Sequence, residues 1–469
     1  MAVSGTVPTE LGDKKIRDLL MQYAVPAIIA MTASSLYNMV DSIFIGHIKD
    51  VGSYAISGLA VTFPLMNIAT ALGTLVGVGA STILSMLLGQ KNYEAANKVL
   101  VNEVMLNVIV GISFTIVTLL FLDTILMFFG ASANTLPYAR DYMVIILIGN
   151  VITHLYFGLN NIIRASGSPK LAMALTIFTV VSNTIMDPIF IFWLDMGIKG
   201  AALATVICQL LALVYTLKYF LSDKNYLHLP RRMSGYKLDW RIAKDSLTIG
   251  MGPFLMNSAA CIVTMFINQQ LSKYGGDLAI GAYGIVNRFT FLFIMINMGL
   301  NQGMQPIAGY NFGARKYSRV KQVFKLTVLC ATVVSCVGFI VSECCPNLAV
   351  SLFTNDPELK VLADKGLRMM NMALPLVGFQ MVTTNFFQSL GMVHKSIFLS
   401  LSRQLLFLVP LIYFLPVFFG HKGVWMSFPI ADSISIILSA VLLLMLFRKF
   451  RLLNDGDDPS ILGSKIKQA

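Results

Sequence analysis

Charged residues are scarce in this chain. Asp, Glu, Lys and Arg make up 12% of its 469 residues, whereas apolar residues make up 56% and the mean hydropathy is +0.73. A typical soluble chain carries roughly a quarter charged residues. The deficit argues against a set of soluble domains and favours a hydrophobic helical bundle in a membrane.

Several catalytic motifs are also missing from the sequence. There is no Gly-x4-Gly-Lys-Ser/Thr loop for ATP, no His-Glu-x-x-His metal motif and no clustered Asp motif for Mg²⁺. The six cysteines have no metal-ligand spacing, so we expect them to be reduced and structural. We also expect no cleavable signal peptide, because the residues up to Arg17 are polar. These absences argue against an ATP-driven pump and against a membrane-embedded enzyme.

Long apolar runs dominate the rest of the chain. A hydrocarbon core of about 30 Å needs roughly 20 apolar residues per helix. Runs of that length predict an all-α integral membrane protein with twelve transmembrane helices, at 19–46, 55–88, 97–121, 136–163, 169–193, 198–220, 245–272, 279–310, 322–342, 361–390, 396–418 and 423–447. The predicted domains are an N-terminal tail 1–18, an N-lobe 19–221, a linker 222–244, a C-lobe 245–447 and a C-terminal tail 448–469.

The net charge of +12 is distributed unevenly between the loops. With the N-terminus inside, the cytoplasmic loops and tails hold 25 Lys and Arg, and the opposite side holds eight. This asymmetry predicts that both tails are cytoplasmic. The basic charge then serves membrane orientation, and we expect contact with lipid rather than with nucleic acid.

The two halves of the sequence repeat each other. Asp18, Leu20 and Pro26 recur 227 residues later as Asp245, Leu247 and Pro253, and at an offset of 224 Gly79 meets Gly303 and Asn161 meets Asn385. Each half has an even number of predicted helices, so the copies share one orientation. We therefore predict two six-helix lobes related by a pseudo-two-fold axis along the membrane normal, with a cavity where they meet.

Two acidic residues lie deep in the predicted spans. Asp41 is in the first span, and Asp187 is in the fifth, one turn after Asn183. A charge at this depth costs several kcal/mol, so we expect each acid to have a specific role. Together with Thr205 of the sixth span, the pair suits a proton store or a small hard cation such as Na⁺. The alternative is that these acids only hydrogen-bond neighbouring helices.

Proline residues accompany both acids. Pro26 and Pro188 each remove a backbone hydrogen bond, which predicts bends in the first and fifth helices. Bends in lipid survive where the segment borders a wet cavity, so we expect both acids to face one pocket. The second half has Asn268 opposite Asp41, and the predicted ion site is therefore asymmetric.

Four further polar residues fall at depth in the predicted spans. Asp432 and Arg288 either line the cavity, pair with each other or serve only structure. His154 is either a proton relay or a satisfied core histidine, with the core role favoured. Arg403 is expected to extend its guanidinium to the cytoplasmic interface.

The combined motifs resemble the multidrug and toxin extrusion (MATE) family, in its bacterial DinF and MepA-like branch. The resemblance extends from about Asp18 to Phe447. It rests on Pro26 with Asp41, Gly77-Val78-Gly79-Ala80, Arg164-Ala165-x-Gly167-x-Pro169, Asn183-x3-Asp187-Pro188, Gly200-Ala201-Ala202-x-Ala204-Thr205 and Gln305-Pro306-x3-Tyr310-Asn311-x-Gly313.

The resemblance implies export of small lipophilic, often cationic compounds, driven by inward H⁺ or Na⁺, without a cofactor and without catalysis. It places the ion site at Asp41, Asn183, Asp187, Thr205 and Ala201. We assign to the substrate cavity a set of less specific positions, namely Tyr37, Asn38, Tyr142, Asn161, Arg288 and Gln305. We expect a monomer in the bacterial inner membrane.

Other readings remain open at this point. A flippase or exporter of a lipid or an endogenous metabolite would share the fold, but only Arg288 and Arg403 are basic at depth, which disfavours a pyrophosphate-bearing substrate. A channel is a further alternative, and broken helices in duplicated halves favour a carrier. The residues do not decide between H⁺ and Na⁺.

Overall fold

The computed structural model describes residues 10–46, 48, 52–222, 225–351 and 356–458. Helices account for nearly all regular structure in these ranges, and no β-strand occurs in them. The all-α prediction is confirmed.

The first half of the chain forms six long helical elements. They are α1 (Ile16–Gly46), α2 (Gly52–Gly89), α3 (Tyr93–Leu120), α4 (Leu136–Ile148 and Asn150–Ala165), α5 (Pro169–Pro188) and α6 (Ile198–Phe220). The two parts of α4 meet at a bend of 55°. Directly after α5 the chain continues as a π-helix, Ile189–Trp193.

Six elements follow in the second half. They are α7 (Trp240–Gly276), α8 (Leu278–Gly313), α9 (Tyr317–Cys344), α10 (Pro357–Asn371 and Leu374–Ser389), α11 (Val393–Phe419) and α12 (His421–Phe450). Gly276 separates α7 from α8 with a φ of 65°, a conformation that other residues rarely adopt. Within α11, residues Ser402–Leu408 form a second π-helix.

Each predicted span therefore coincides with a helix or a helix pair. Within the described ranges, ten helices are long and apolar enough to cross a membrane, and the bent α4 pair raises this number to 11. The one remaining element is α10. It consists of two helices of 15 and 16 residues, and each alone is too short to cross the membrane. Most helices begin before the predicted spans, because polar residues at a helix end are tolerated outside the hydrocarbon core.

The described residues pack as two compact units. The first contains Ile29–Phe254, and the second contains Lys14–Ile28 together with the chain from Leu255 onward. Helix α1 is thus divided after Ile28, and helix α7 is divided after Phe254. The first part of each of these helices packs in a different unit from its second part.

Glycines allow the first part of α7 to pack closely on α2 in the first unit. A Cβ on Gly79 would lie 1.9 Å from the Ser246 carbonyl oxygen, and one on Gly250 would lie 1.6 Å from the Leu75 carbonyl oxygen. The two contacts are reciprocal and four residues apart on both helices, which is the small-residue spacing of close helix pairs in membranes.

An equivalent contact joins α1 to α8 in the second unit. A Cβ on Gly303 would lie 2.6 Å from the Ala24 Cα, and one on Gly299 would lie 2.6 Å from the Ile28 Cα. Gly303 is the repeat counterpart of Gly79, so both copies of the repeat use their second helix for this purpose.

Candidate functional site

Helix α5 presents an amide and a carboxyl group on one face. Asn183 and Asp187 are four residues apart, and the Asn183 Nδ2 donates to the Asp187 Oδ1 at 3.1 Å. Both side chains are buried, with Asp187 wholly inaccessible. The sequence spacing alone brings these two groups together, because residues i and i+4 are neighbours on a helix.

The second carboxyl group comes from α1. Asp41 is 6% exposed, and its carboxyl group is a neighbour of that of Asp187 and interacts with it. Two carboxylates in such contact repel each other strongly in a poorly solvated site. The arrangement therefore requires a proton or a cation between them.

A hydroxyl network orients these groups. The Thr205 hydroxyl donates to the Ala201 carbonyl oxygen at 3.1 Å, so its oxygen accepts from the Tyr37 hydroxyl at 3.0 Å and from the Asn183 Nδ2 at 3.4 Å. The network holds the Asn183 amide nitrogen on Thr205 and Asp187. The amide oxygen of Asn183 is consequently left for another partner.

Three buried oxygens of the site have no hydrogen-bond donor among the described residues. They are the Asp41 Oδ1, the Asn183 Oδ1 and the Asp187 Oδ2. Buried polar atoms in proteins are nearly always satisfied, so these three oxygens are free to accept a hydrogen bond or to bind a cation. Carboxylate and amide oxygens are ligands for hard cations, and a carboxylate is also a proton acceptor. The donor set fits either H⁺ or Na⁺.

Tyr142 of α4 closes one side of the site. It is buried, and its ring packs in the apolar core that includes Ile45, Ile191 and Ala201. Its hydroxyl is close enough to Asp41 and Asp187 to interact with both electrostatically.

The two prolines occupy different settings. Pro26 lies inside the unbroken helix α1, and the bend predicted there stays a prediction. Pro188 is the last residue of α5, immediately before the π-helix Ile189–Trp193. A π turn in a helix often accompanies a functional position, and this one begins two residues after Asp187 and one after Pro188.

The other predicted cavity residues are on helices α1, α4 and α8. The side chain of Asn38 is outside the described part of the structure. The Asn161 Oδ1 accepts from the Arg164 guanidinium at 3.4 Å. On α8, Arg288 is exposed and Gln305 is partly buried. Their assignment to the substrate path stays a prediction.

The structure gives Asp432 a partner that was not among the alternatives considered for it. Asp432 pairs with Arg403 and not with Arg288, through a bond of 2.6 Å between the Arg403 Nε and the Asp432 Oδ1. Arg403 therefore does more than extend to the interface. Its position in the π segment of α11 places the guanidinium against α12, which helix spacing alone does not predict.

Two buried polar groups complete the first unit. The His154 Nε2 donates to the Ala69 carbonyl oxygen at 2.9 Å, as in a core histidine. Glu103 of α3 is wholly buried and was missed among the intramembrane acids. The sequence carries two signs of this buried acid. Glu103 is the seventh residue of the predicted span 97–121, and the amide of Asn107 follows one helical turn later.

Comparisons with known proteins agree with this architecture. The model of the MatE family matches the chain twice, over residues 26–189 and 251–414, once in each repeat. Multidrug export protein MepA of Staphylococcus aureus (strain MSSA476) is 30% identical over 92% of this chain and 93% of its own length. MepA of Staphylococcus haemolyticus (strain JCSC1435) is 30% identical over 91% of this chain and 93% of its own length.

A solved structure has the same fold. The outward-facing conformation of a multidrug resistance MATE family transporter of the MOP superfamily matches with a TM-score of 0.88 and 24% identity, covering 96% of this chain and 100% of its own. The sequence repeat is thereby confirmed as two copies of one family unit in a multi-pass membrane protein. The chain belongs to the multidrug and toxin extrusion (MATE) family.

Proposed function

We propose that the chain is a secondary active exporter of small lipophilic and cationic compounds, driven by antiport of H⁺ or Na⁺. The names of the staphylococcal relatives support multidrug export. The single observation that carries the ion coupling is the set of three unsatisfied buried oxygens around the Asp41 and Asp187 carboxyl groups.

The site suggests how ion binding changes the transporter. With a proton on the pair, the Asp41 and Asp187 carboxyl groups attract each other through a hydrogen bond. Without a proton or a cation, two carboxylates repel, and the second part of α1 is pushed from α5. Coupling requires the ion and the drug to prefer different states, and a tenfold change in drug affinity corresponds to about 1.4 kcal/mol.

The contact between the two carboxyl groups favours H⁺ as the first candidate. A proton is held within a hydrogen bond of ordinary length, whereas a metal ion has to separate the oxygens that bind it. Na⁺ is the second candidate, because the Asn183 Oδ1 and the Thr205 Oγ1 add neutral oxygens to the carboxylates.

Drug accumulation in inside-out vesicles tests the function and the ion together. We expect a fluorescent lipophilic cation such as ethidium to accumulate when the interior is acidic, and a protonophore to abolish the accumulation. A Na⁺-rich interior with a Na⁺ ionophore as control tests the second candidate. Accumulation under neither gradient would contradict antiport with either ion.

Thr205 offers a graded test of the ion site. Thr205→Ala removes the oxygen that orients Asn183 and Tyr37, while Thr205→Ser keeps it. A lost hydrogen bond is worth about 1 kcal/mol, so we expect Thr205→Ala to raise the ion concentration for half-maximal transport by about five- to tenfold. Thr205→Ser should behave as the wild type. Equal ion dependence in both variants would remove Thr205 from the site.

A flippase for a phosphate-bearing lipid is the alternative. Such a substrate needs unpaired basic groups at depth, and Arg403 is already neutralised by Asp432. Arg288 alone is a poor basis for binding a pyrophosphate. We further propose an inner-membrane location with cytoplasmic termini, a monomer, and no cofactor or enzymatic activity.

A further inference from the structure

Glu103 lies on a polar stripe of α3 that faces α4. Glu103, Asn107 and Gly111 are spaced by four residues, and His154 and Gly158 have the same spacing on α4. A Cβ on Gly158 would lie 1.7 Å from the Glu103 Oε1, and one on Gly111 would lie 3.5 Å from the His154 Nδ1. The Glu103 carboxyl group thus occupies the space that the missing side chain of Gly158 leaves.

The hydrogen bonding of Glu103 is incomplete in one specific way. The Asn107 Nδ2 donates to the Glu103 Oε1 at 2.5 Å. The Glu103 Oε2 and the Asn107 Oδ1 are both buried and have no donor among the described residues. One proton on the Oε2 would supply the missing donor, because its O–H could donate to the amide oxygen and form a cyclic pair of acid and amide.

Among the described residues, no basic side chain forms an ion pair with Glu103. Helix α2 carries no charged residue. On α4, His154 is bound to Ala69, and the Arg164 guanidinium is bound to Asn160 and Asn161. On α3 itself, Lys98 pairs with Glu94 at 2.9 Å. The charged residues in the first part of α7 are all exposed, namely Arg241, Lys244 and Asp245.

We propose that Glu103 is a second proton-binding site of the first unit, and that its proton is held rather than exchanged. Neither Glu103 nor Asn107 has any exposed surface, whereas the Asp41 site includes the partly exposed Tyr37 and Thr205. The neutral acid–amide pair lets α4 pack on α3 through Gly158. A carboxylate would leave a buried charge with one hydrogen bond, at a cost of several kcal/mol. This inference does not depend on the proposed function.

Infrared spectroscopy of the full-length protein in lipid tests the proton directly. Subtracting the spectrum of Glu103→Gln from that of the wild type at neutral pH should leave the C=O band of a protonated carboxyl group. Transfer to D₂O should shift this band slowly, because the site is closed. A carboxylate band in the difference spectrum, or a band that shifts at once, would overturn the proposal.

Two variants separate a held proton from a coupling proton. Glu103→Gln can form the corresponding amide pair, so we expect it to keep its melting temperature and its drug transport. A loss of transport in Glu103→Gln with an unchanged melting temperature would overturn the proposal. If Glu103→Gln does not accumulate, Asn107→Val serves instead. It removes the amide partner and should shift the acid band, and an unshifted band would contradict the pairing. The infrared readout decides even if the chain transports no drug.

Discussion

Replacing Asp41 by Asn is expected to abolish ion-driven drug accumulation in inside-out vesicles. Asparagine preserves the size of the side chain, but it neither accepts a proton nor neutralises a cation. Its amide can donate to Asp187, so the contact between α1 and α5 persists without an ion. The variant should therefore bind drug but fail to respond to a pH or Na⁺ gradient. Drug binding and drug accumulation, measured on the same vesicles, will test this.

Glu103→Gln is the matched control for this experiment. It also removes one buried acid from the first unit, but from a position outside the Asp41 site. Asp187→Asn should behave like Asp41→Asn, since the two carboxyl groups share one partner. Full gradient-driven accumulation by Asp41→Asn would refute the assignment of the ion site.

Replacing Gly250 by Ala is expected to be the most damaging substitution for stability. The added Cβ would lie 1.6 Å from the Leu75 carbonyl oxygen, and neither backbone can move without separating α7 from α2. Helix propensity alone favours Ala over Gly by about 1 kcal/mol. Overpacking in a tight contact costs about 1–3 kcal/mol or more, and here it involves two backbones. We expect a lower melting temperature and little folded protein in the membrane.

Gly284→Ala provides the matched control for Gly250→Ala. Gly284 is also helical and lies in α8, but a Cβ there meets no atom within 4 Å. Its melting temperature should stay the same or rise slightly. Thermal unfolding in detergent, followed by size-exclusion chromatography, compares the two variants. Equal melting temperatures would mean that α2 and α7 do not pack as closely as the structure indicates.

The helices were predictable because a membrane imposes a minimum apolar length on each one. The repeat was predictable because glycines such as Gly79 and Gly303 are required at equivalent backbone contacts. The sequence does not predict the division of α10 near Met372 or the two π-helices, since neither feature changes the average hydropathy of a span. Such local changes depend on packing and on which backbone groups find partners.

Part of the candidate site was predictable from the regular spacing of residues on a helix. Helical spacing alone places Asn183 next to Asp187, and the structure brings Asp41 and Thr205 to the same place. Ion binding there stays a prediction. The pairing of Arg403 with Asp432 depends on which helices are neighbours, and that information is absent from a single run of apolar residues.

The division of α1 and α7 between packing units has a consequence for synthesis on the ribosome. The first unit is complete only when residues up to Phe254 have been made, although its own repeat ends with α6. The first part of α1 gains its packing partners later still, because the glycines that it contacts, Gly299 and Gly303, belong to α8. A nascent chain that ends after α6 therefore contains neither finished unit, because each unit is assembled from residues of both copies of the repeat.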